Sequence, residues 1–473
     1  MSIREQLTSI AEKRIIILDG AMGSIIRILN LDEKGYRGNL FADHSVPLNG
    51  CNDVLCLTRP GAIGAIHDTY LEAGADIIET CSFNSTSVRL ADFGLEHLAY
   101  DISAAAARIA RKSADKFTVN EKPRFVAGSM GPTSKSVSRG EIGWDELELS
   151  YYDNARGLLD GGADILLVET VSDILNAKAA AHAISRLLEK KRADVPVIVS
   201  AAVTEEGRLL SGQSIEAFFV SIRHLLPNET PWAVGLNCSF NASKLLPHLQ
   251  LLSEIASCFI SAYPNAGLLN QFGRYEEIPD TMAENIEPFL KNRLVNIIGG
   301  CCGSTPAHIA AIAEKAHGYI PHKIPKNPCD AVFSGLDLFH IENDIVHPEK
   351  IPFYINSWDK EVLCAELKKQ QGRGLAGPIN LENGEAEFLQ KAKLIQSFGA
   401  AALVTLTDER SPTDGADKGD EERRKIEIAQ RIYRRLHEIG YYAGSIVFDI
   451  NTAEESPICA WIRDNCPGAL IAL

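Results

Sequence analysis

The chain has 473 residues, of which 45% are hydrophobic and 23% are charged. This composition is typical of a folded globular protein, so it argues against disordered, collagen-like and coiled-coil proteins. The 62 acidic residues outnumber the 47 basic residues, which gives a formal net charge of −15. A negative field of this size repels phosphate backbones and anionic lipids, so we expect neither a nucleic acid nor a membrane as a partner.

The sequence has no stretch of about 20 apolar residues, and its first residues include Glu5 and Glu12 without an apolar core. We therefore expect no membrane span, no signal peptide and a cytoplasmic location. Eleven cysteines in so long a chain indicate thiol or metal chemistry in a reducing compartment rather than a disulfide framework.

Eight short apolar runs alternate with longer amphipathic segments over the first two thirds of the chain. Each run has the pattern of a strand that is buried on both faces. The predicted strands are 14–20, 75–80, 124–132, 163–170, 196–203, 232–239, 259–267 and 295–304. The predicted helices between them include 59–74, 144–162, 173–190 and 215–226. Eight such repeats predict an α/β fold, a (β/α)8 TIM barrel over residues 1–320, with an open doubly wound sheet as the alternative.

A second, smaller α/β region is predicted after the barrel. Residues 321–350 begin with a proline- and lysine-rich stretch and are predicted to form a linker. Residues 351–473 carry about five predicted strands, which are too few for a closed barrel, so we expect an incomplete domain, a partial barrel. No strand is predicted after the one at 468–473, so we expect the outer edge of that strand to have no neighbouring strand.

Polar residues stand where the predicted barrel strands end. The carboxyl ends of parallel barrel strands meet at one face, where the reactive groups of such enzymes lie. Any one of these residues alone is also compatible with a helix cap or a packed core residue. Convergence of several of them on one face favours a functional site. The polar strand ends are Asp19, Glu79, Thr80, Ser129, Glu169, Thr170, Asn237, Cys238, Asn265, Cys301 and Cys302.

The eighth predicted strand ends in two adjacent cysteines within a glycine frame, Gly299-Gly300-Cys301-Cys302-Gly303. Neighbouring side chains on a regular strand point to opposite faces, so both sulfurs reach one point only if the glycines let the backbone leave strand geometry. Cys238 lies at the end of the sixth predicted strand, two strands before the cysteine pair. Three thiolates there would hold one Zn²⁺ per chain in a tetrahedral site with one open position. A vicinal disulfide and inert buried thiols are the alternatives.

Zinc held by three thiolates is a poor Lewis acid for hydrolysis, but it can bind a fourth thiol and lower its pKa. The implied reaction is attack of a substrate thiolate on an electrophilic carbon. Asp19 and Glu169 are candidates to bind an ammonium group, and loop 128–132 offers backbone N–H groups for a carboxylate. Such a substrate is an amino-acid thiol. Glu79, Ser129 and Asn237, predicted at the same face, complete the set of expected substrate contacts.

Five motifs of this chain resemble those of homocysteine S-methyltransferases: LDGAMG at 18–23, ET at 79–80, VET at 168–170, GLNC at 235–238 and GGCCG at 299–303. Residues 1 to about 320 are similar to the N-terminal homocysteine-binding barrel of cobalamin-dependent methionine synthase. The resemblance implies that Cys238, Cys301 and Cys302 hold zinc, and that homocysteine supplies the fourth ligand. It also implies that Asp19 and Glu169 lie near the homocysteine amino group. Two motifs depart from the family pattern. The usual ETNTF of the family is ETCSF at 79–83 of this chain, and the usual GNND is GCND at 50–53.

The second region is similar to the later part of the methyltetrahydrofolate-binding barrel of the same enzyme, over 355–365, 384–402 and 448–451. The front of that barrel, with its pterin loop, has no counterpart, and Asn356 and Gly377 stand where aspartate and asparagine are usual. The resemblance therefore implies a truncated pterin-binding-like domain at 351–473 with a structural or docking role. No cobalamin-binding module is predicted, so a methylcobalamin donor would come on a separate corrinoid-binding protein.

Three functional hypotheses follow. The leading one is an enzyme that methylates homocysteine to methionine on zinc, with methylcobalamin or methyltetrahydrofolate supplied by another chain. The second keeps the zinc and the thiol but uses S-methylmethionine or a betaine-like donor. The third is a non-catalytic subunit that binds homocysteine or zinc.

Overall fold

The computed structural model describes residues 1–226, 230–268, 270, 275–325, 333–341, 343–410, 418–451, 454 and 456–473. The chain forms two compact units. The first comprises Met1–Ile215 and Pro231–Cys329, and the second comprises Glu216–Thr230 and Asp330–Leu473. Of the predicted linker at 321–350, residues 326–332 and 342 lie outside the described residues.

The first unit contains eight strands, each parallel to its neighbours. They are β1 (Ile16–Ile17), β2 (Ile77–Glu79), β3 (Phe125–Met130), β4 (Ile165–Val171), β5 (Val197–Ala201), β6 (Ala233–Cys238), β7 (Phe259–Pro264) and β8 (Ile297–Ile298). Strand β8 pairs with β1, and a parallel bridge between Leu18 and Ile77 joins β1 to β2. This closure confirms the predicted (β/α)8 barrel and excludes the open doubly wound sheet.

Helices alternate with these strands, and the predicted helices at 59–74, 144–162 and 173–190 are confirmed. The helix at Ile174–Lys191 begins at this point because the Asp173 carboxylate accepts hydrogen bonds from the N–H groups of Leu175 and Asn176. No helix in the described part of the chain is long and apolar enough to cross a bilayer. The helices are α1 (Ile3–Ala11), α2 (Met22–Ile28), α3 (Glu33–Arg37), α4 (Leu55–Thr58), α5 (Pro60–Glu72), α6 (Ser87–Leu90), α7 (Ala99–Phe117), α8 (Trp144–Asp160), α9 (Ile174–Lys191), α11 (Ala242–Ile255), α12 (Pro279–Lys291) and α13 (Pro306–Ala316). Helix α10 (Ile215–Ile222) lies between β5 and β6 along the chain, and all but its first residue belong to the second unit.

The barrel interior is filled by side chains, so open space is left at the strand ends. The core cluster includes Ile16, Ile77, Phe125, Leu167, Ile198 and Ile297. At the amino ends of the barrel strands, aspartate side chains accept hydrogen bonds from the backbone of the neighbouring strand. Asp76 accepts one from the Ile17 N–H at 2.9 Å, and Asp164 accepts one from the Val126 N–H at 2.8 Å. The amino ends are thereby closed by structural contacts, which leaves the carboxyl ends for function.

The second unit contains a six-stranded parallel sheet, which confirms the predicted partial barrel. Its strands are β11 (Ile345–Val346), β12 (Tyr354–Asn356), β13 (Leu375–Leu381), β14 (Ala401–Asp408), β15 (Ile446–Asp449) and β16 (Leu470–Ala472), in the spatial order β11-β16-β15-β14-β13-β12. Its helices are α14 (Lys360–Leu367), α15 (Glu385–Ser397), α16 (Lys418–Glu438) and α17 (Pro457–Asn465). A hairpin of β9 (Phe333–Ser334) and β10 (Leu338–Phe339) precedes the sheet, and Phe333 is fully buried in its core.

The expectation of an uncovered edge beyond the last strand is wrong. Strand β11 pairs in parallel with β16, in the register Ile345 to Ile471 and Val346 to Ala472. Strand β11 has two residues and comes more than a hundred positions before its partner. A run that short shows no period that identifies a strand, so residues 345–346 fell within the predicted linker.

Candidate metal centre and substrate cavity

The three predicted metal ligands, Cys238, Cys301 and Cys302, meet at the carboxyl end of the barrel. Their sulfur atoms lie within 4.8 Å of one another, and Sγ of Cys238 is 3.8 Å from Sγ of Cys302. All three side chains are half-buried. Among the described residues, no other group of three or more cysteine, histidine or acidic side chains is close enough to share a metal ion.

The backbone leaves strand geometry at both cysteine segments. The glycine frame predicted this for the segment of Cys301 and Cys302. Cys238 has a φ of 55° and Gly303 a φ of 83°. A Cβ on Gly300 would lie 2.6 Å from the Ser304 side chain, so glycine is required there. The Cys301 N–H donates to the carbonyl of Pro264 at 2.8 Å. Strand β7 therefore holds the cysteine pair in place.

The cysteine cluster fits a tetrahedral zinc ion. A Zn–S bond of about 2.3 Å places two ligand sulfurs about 3.8 Å apart, which equals the separation of Cys238 and Cys302. Hydrogen bonds from the thiols of Cys238 and Cys301 lower the pKa of the Cys302 thiol, which favours the thiolate form that binds zinc. Three soft ligands favour zinc over magnesium or calcium and leave one of four positions for another ligand.

A cavity of about 640 Å³ opens beside the cysteines, and three of the five predicted substrate contacts line it. These are Glu79, Ser129 and Glu169. The Ser129 hydroxyl donates a hydrogen bond to Oε1 of Glu169. Burial raises the pKa of Glu169 to about 7 against the effect of that hydrogen bond. Burial also raises the pKa of Glu79 well above its usual range, and the nearby carboxyls of Glu169 and Asp19 add to the effect.

The other two predicted contacts, Asp19 and Asn237, do not line the cavity. Oδ2 of Asp19 accepts a hydrogen bond from the Glu79 N–H at 3.0 Å. Oδ1 of Asn237 accepts from the Thr170 N–H at 3.0 Å and from the Ser200 hydroxyl at 2.8 Å, while its Nδ2 donates to the Thr170 hydroxyl. Both side chains are almost fully buried. In this structure each holds the backbone beside a cavity glutamate in place.

Two backbone N–H groups of loop 128–132, which we expected to bind a carboxylate, have partners within the protein. The Ser129 N–H donates to the Thr80 hydroxyl at 2.9 Å, and the Gly131 N–H donates to the Phe83 carbonyl at 3.0 Å. Pro132 has no N–H group. The N–H groups of Ser129 and Gly131 therefore join β3 to the segment after β2.

Several cavity residues were not among the predicted site residues. They lie in segments after β1, β2 and β7 without a strand pattern, so their convergence depends on the path of the loops. The GCND motif at 50–53 was the available signal for two of them, since it resembles a family motif. The additional cavity residues include Met22, Arg27, Tyr36, Asn52, Asp53, Phe83, Asn84 and Tyr275.

Comparison with known proteins agrees with this geometry. The family model of homocysteine S-methyltransferases matches residues 16–316. This is more than half of the chain, so the chain belongs to the homocysteine S-methyltransferase family and is a methyltransferase.

Solved structures of the homocysteine methyltransferase MmuM from Escherichia coli share the fold. The metallated form has a TM-score of 0.51 at 23% identity, over 65% of this chain and 98% of that chain. The oxidised form has a TM-score of 0.50 at 23% identity, over 64% of this chain and 96% of that chain.

Proposed function

We propose that this protein transfers a methyl group to the thiol of homocysteine, giving methionine, at a Zn²⁺ ion held by Cys238, Cys301 and Cys302. The observation that carries this proposal is the convergence of the three sulfurs in the wall of a cavity that also holds buried carboxyl groups. When bound, zinc would accept the substrate thiol as a fourth ligand and keep it deprotonated at neutral pH.

The carboxyl groups of Glu79 and Glu169 bind the ammonium group of homocysteine in this proposal. Both line the cavity, and Glu169 is oriented by the Ser129 hydroxyl. Asp19 and Asn237 act as positioning residues, through their hydrogen bonds to the backbone of Glu79 and Thr170. A fixed ammonium group limits the positions that the thiol of the same molecule can take, which directs it toward the cysteine cluster.

The chemical step forms a C–S bond between the homocysteine sulfur and the methyl carbon. The bond between that carbon and the donor breaks, and its electron pair stays with the donor. The thiol proton is released to solvent water before this step, because the thiolate is the nucleophile.

The leading donor is methylcobalamin or methyltetrahydrofolate carried by another chain. A corrin ring with its side chains is larger than a cavity of about 640 Å³. A separate corrinoid-binding protein would therefore present the methyl group at the cavity mouth. The other donor class, a small sulfonium or betaine-like molecule, is favoured by one observation, the acidic side chains that line the cavity.

The test combines metal analysis with a donor screen. We expect one zinc per chain and homocysteine-dependent formation of methionine from at least one of methylcobalamin, S-methylmethionine and betaine. Metal-free, inactive protein with intact cysteines would refute the proposal. Tight binding of homocysteine without turnover of any donor, even with a corrinoid protein present, would identify a non-catalytic subunit instead.

A further inference from the structure

Strand β2 ends at Glu79, whereas its neighbour β3 continues to Met130. The Thr80 N–H still donates to the Ala127 carbonyl of β3 at 2.9 Å. The next residue of β3 whose backbone points toward β2 is Ser129, and its N–H and carbonyl groups are buried and need partners. Side chains from the segment after β2 supply these partners in place of the backbone.

The hydroxyl groups of Thr80 and Ser82 form a closed circuit of hydrogen bonds with the backbone of Ser129. The Thr80 hydroxyl accepts from the Ser129 N–H at 2.9 Å, and the Ser82 hydroxyl donates to the Ser129 carbonyl at 2.8 Å. The two hydroxyl oxygens lie 2.5 Å apart. Because the hydrogen of Ser82 is already used, the Thr80 hydroxyl donates to Ser82. Each bond of the circuit thus has a fixed direction, and linked hydrogen bonds strengthen one another.

Ser82 is fully buried, and its hydroxyl both accepts and donates within the circuit. Its position is fixed from the helix layer outside the barrel. The Ser82 carbonyl accepts from the Ser85 hydroxyl at 2.8 Å, and that hydroxyl accepts from Nδ2 of Asn154, in helix α8, at 2.9 Å. Ser82 therefore transmits the position of the helix layer to the backbone of Ser129, and its hydroxyl is not available to a ligand.

The side chain of Ser129 connects this circuit to the cavity. Its hydroxyl donates to Oε1 of Glu169. Burial raises the pKa of Glu169 to about 7, and the bond from Ser129 acts in the opposite direction. Hydrogen bonds weaken steeply with misalignment, so the effect of this bond depends on how closely the Ser129 backbone is held. The other titratable groups that interact with Glu169 are Tyr263, Cys302, Asp19 and Glu79.

We propose that Ser82 is a positioning residue for Glu169, and that it acts through the backbone of Ser129 without contacting substrate or metal. The inference rests on the proposed function, which assigns the substrate ammonium to Glu79 and Glu169. A well-held Ser129 hydroxyl keeps the Glu169 carboxyl group oriented and favours its charged form, which is the form that binds an ammonium. The orientation of Glu169 can be measured without any substrate, so the two proposals can fail separately.

The first test follows the titration of Glu169 by carbon-13 NMR of the zinc-loaded full chain with labelled glutamate, and Glu169→Gln assigns the signal. We expect Ser82→Ala to raise the pKa of Glu169, moving the midpoint upward by about 0.5 to 1 pH unit, as for a weakened hydrogen bond. Ser82→Thr keeps the hydroxyl and should restore the native midpoint. Ser113→Ala is the matched control, because it removes another buried hydroxyl that donates to a carbonyl, that of Gly64, and should leave the midpoint unchanged.

The second test measures the calorimetric Kd for methionine in the same variants. At pH 7 the Kd of Ser82→Ala should be about two- to fivefold above that of the native protein, because less of Glu169 is charged. The difference should shrink at pH 8.5, where Glu169 is charged in both proteins. A merely structural defect would weaken binding equally at both pH values. In a Ser129→Ala background, adding Ser82→Ala should change neither the Kd nor the midpoint further, since the link to Glu169 is already lost.

Two outcomes overturn the proposal: an unchanged Glu169 midpoint in Ser82→Ala, and an effect of Ser82→Ala that persists in the Ser129→Ala background. If the native protein binds no methionine while the Glu169 midpoint responds as expected, the proposed ammonium site fails and the positioning role of Ser82 stands. If Ser82→Ala does not fold, Thr80→Val breaks the same circuit at the Ser129 N–H. It should raise the pKa of Glu169, and Thr80→Ser, which keeps the hydroxyl, should not.

Discussion

The sulfur atom of Cys238 lies 3.8 Å from that of Cys302, although 64 positions separate the two residues along the chain. Both segments are held by the same residue of strand β7. Cys238 is in register with Pro264, and the Cys301 N–H donates to the Pro264 carbonyl. The cysteine cluster is therefore a property of three adjacent strands, β6, β7 and β8, and not of any single motif.

Substitution of one ligand should abolish metal binding without unfolding the barrel. We expect Cys302→Ser and Cys238→Ser to lose most of their zinc, because a serine hydroxyl is a poor ligand in a soft thiolate site. Zinc per chain, measured after dialysis, checks this, and circular dichroism checks the fold. Cys364→Ser, in helix α14 of the second unit, is the matched control and should keep its zinc. Unchanged zinc content in both ligand variants would show that the assignment is wrong.

Zinc affinity should fall as the pH is lowered from 8 to 6. The ligands bind as thiolates, so protons and zinc compete for the same sulfurs. Competition with a chromophoric chelator at each pH measures the affinity. An affinity that does not depend on pH would contradict binding by three thiolates.

Binding of the substrate ammonium should depend on the charge of Glu169. Because the pKa of this group is about 7, its carboxylate form is lost as the pH falls from 8 to 6, and the affinity for an ammonium falls with it. Methionine is a suitable probe, since it keeps the ammonium and lacks the thiol. We expect its calorimetric Kd to rise at low pH in the native protein.

The variant Glu169→Gln separates this effect from other titrations. At pH 8 it should bind methionine about 10- to 100-fold more weakly, as for loss of a charged hydrogen bond, and its Kd should vary little between pH 6 and 8. Ser129→Ala, which removes only the orienting hydroxyl, should have a smaller effect. Equal pH dependence in native protein and Glu169→Gln would assign the ammonium to another group.

Acid should destabilise the barrel through His67, which lies on helix α5. Its side chain is fully buried, and neither ring nitrogen has a hydrogen-bond partner in the part of the chain that the structure describes. Burial lowers its pKa from 6.5 to about 4. Between these two values the unfolded chain binds more protons than the folded one, so stability falls as the pH falls. The loss amounts to about 3 kcal/mol once the pH is below both values.

The variant His67→Leu removes the titrating group and keeps an apolar side chain in the core. Urea unfolding at pH 7, 6 and 5 should show the native protein losing stability relative to the variant at each step. His97→Gln, which changes an exposed histidine, is the control and should follow the native protein. A constant difference between native protein and His67→Leu over this range would contradict burial of a neutral His67.

Local patterns were sufficient to predict the barrel and the meeting of three cysteines at its carboxyl end. Buried parallel strands are continuous apolar runs, so eight of them could be counted without long-range information. The glycines around Cys301 and Cys302 indicated a backbone that leaves strand geometry, and the φ of 83° at Gly303 agrees with this expectation. The position of Cys238 at the end of its strand placed it on the same face.

Strand ends were less informative about what each polar side chain contacts. Asp19 and Asn237 both end strands, yet their side chains accept hydrogen bonds from the backbone of β2 and β4, and neither is among the residues that line the cavity. The N–H groups of Ser129 and Gly131, in loop 128–132, are likewise bound by the segment after β2. Whether a side chain turns inward or toward a neighbouring strand depends on partners that are distant in the sequence.

The closed barrel, the incomplete second sheet and the clustering of three cysteines could be predicted from the sequence, because they follow from periodicity and from residue types at the ends of buried strands. The folded chain was needed to show that β11 covers the edge of β16 and that Asp19 and Asn237 hydrogen-bond to the backbone of neighbouring strands. These features depend on which loops meet in space. Loop paths are set by many weak contacts between distant segments, and such contacts impose no period on the sequence.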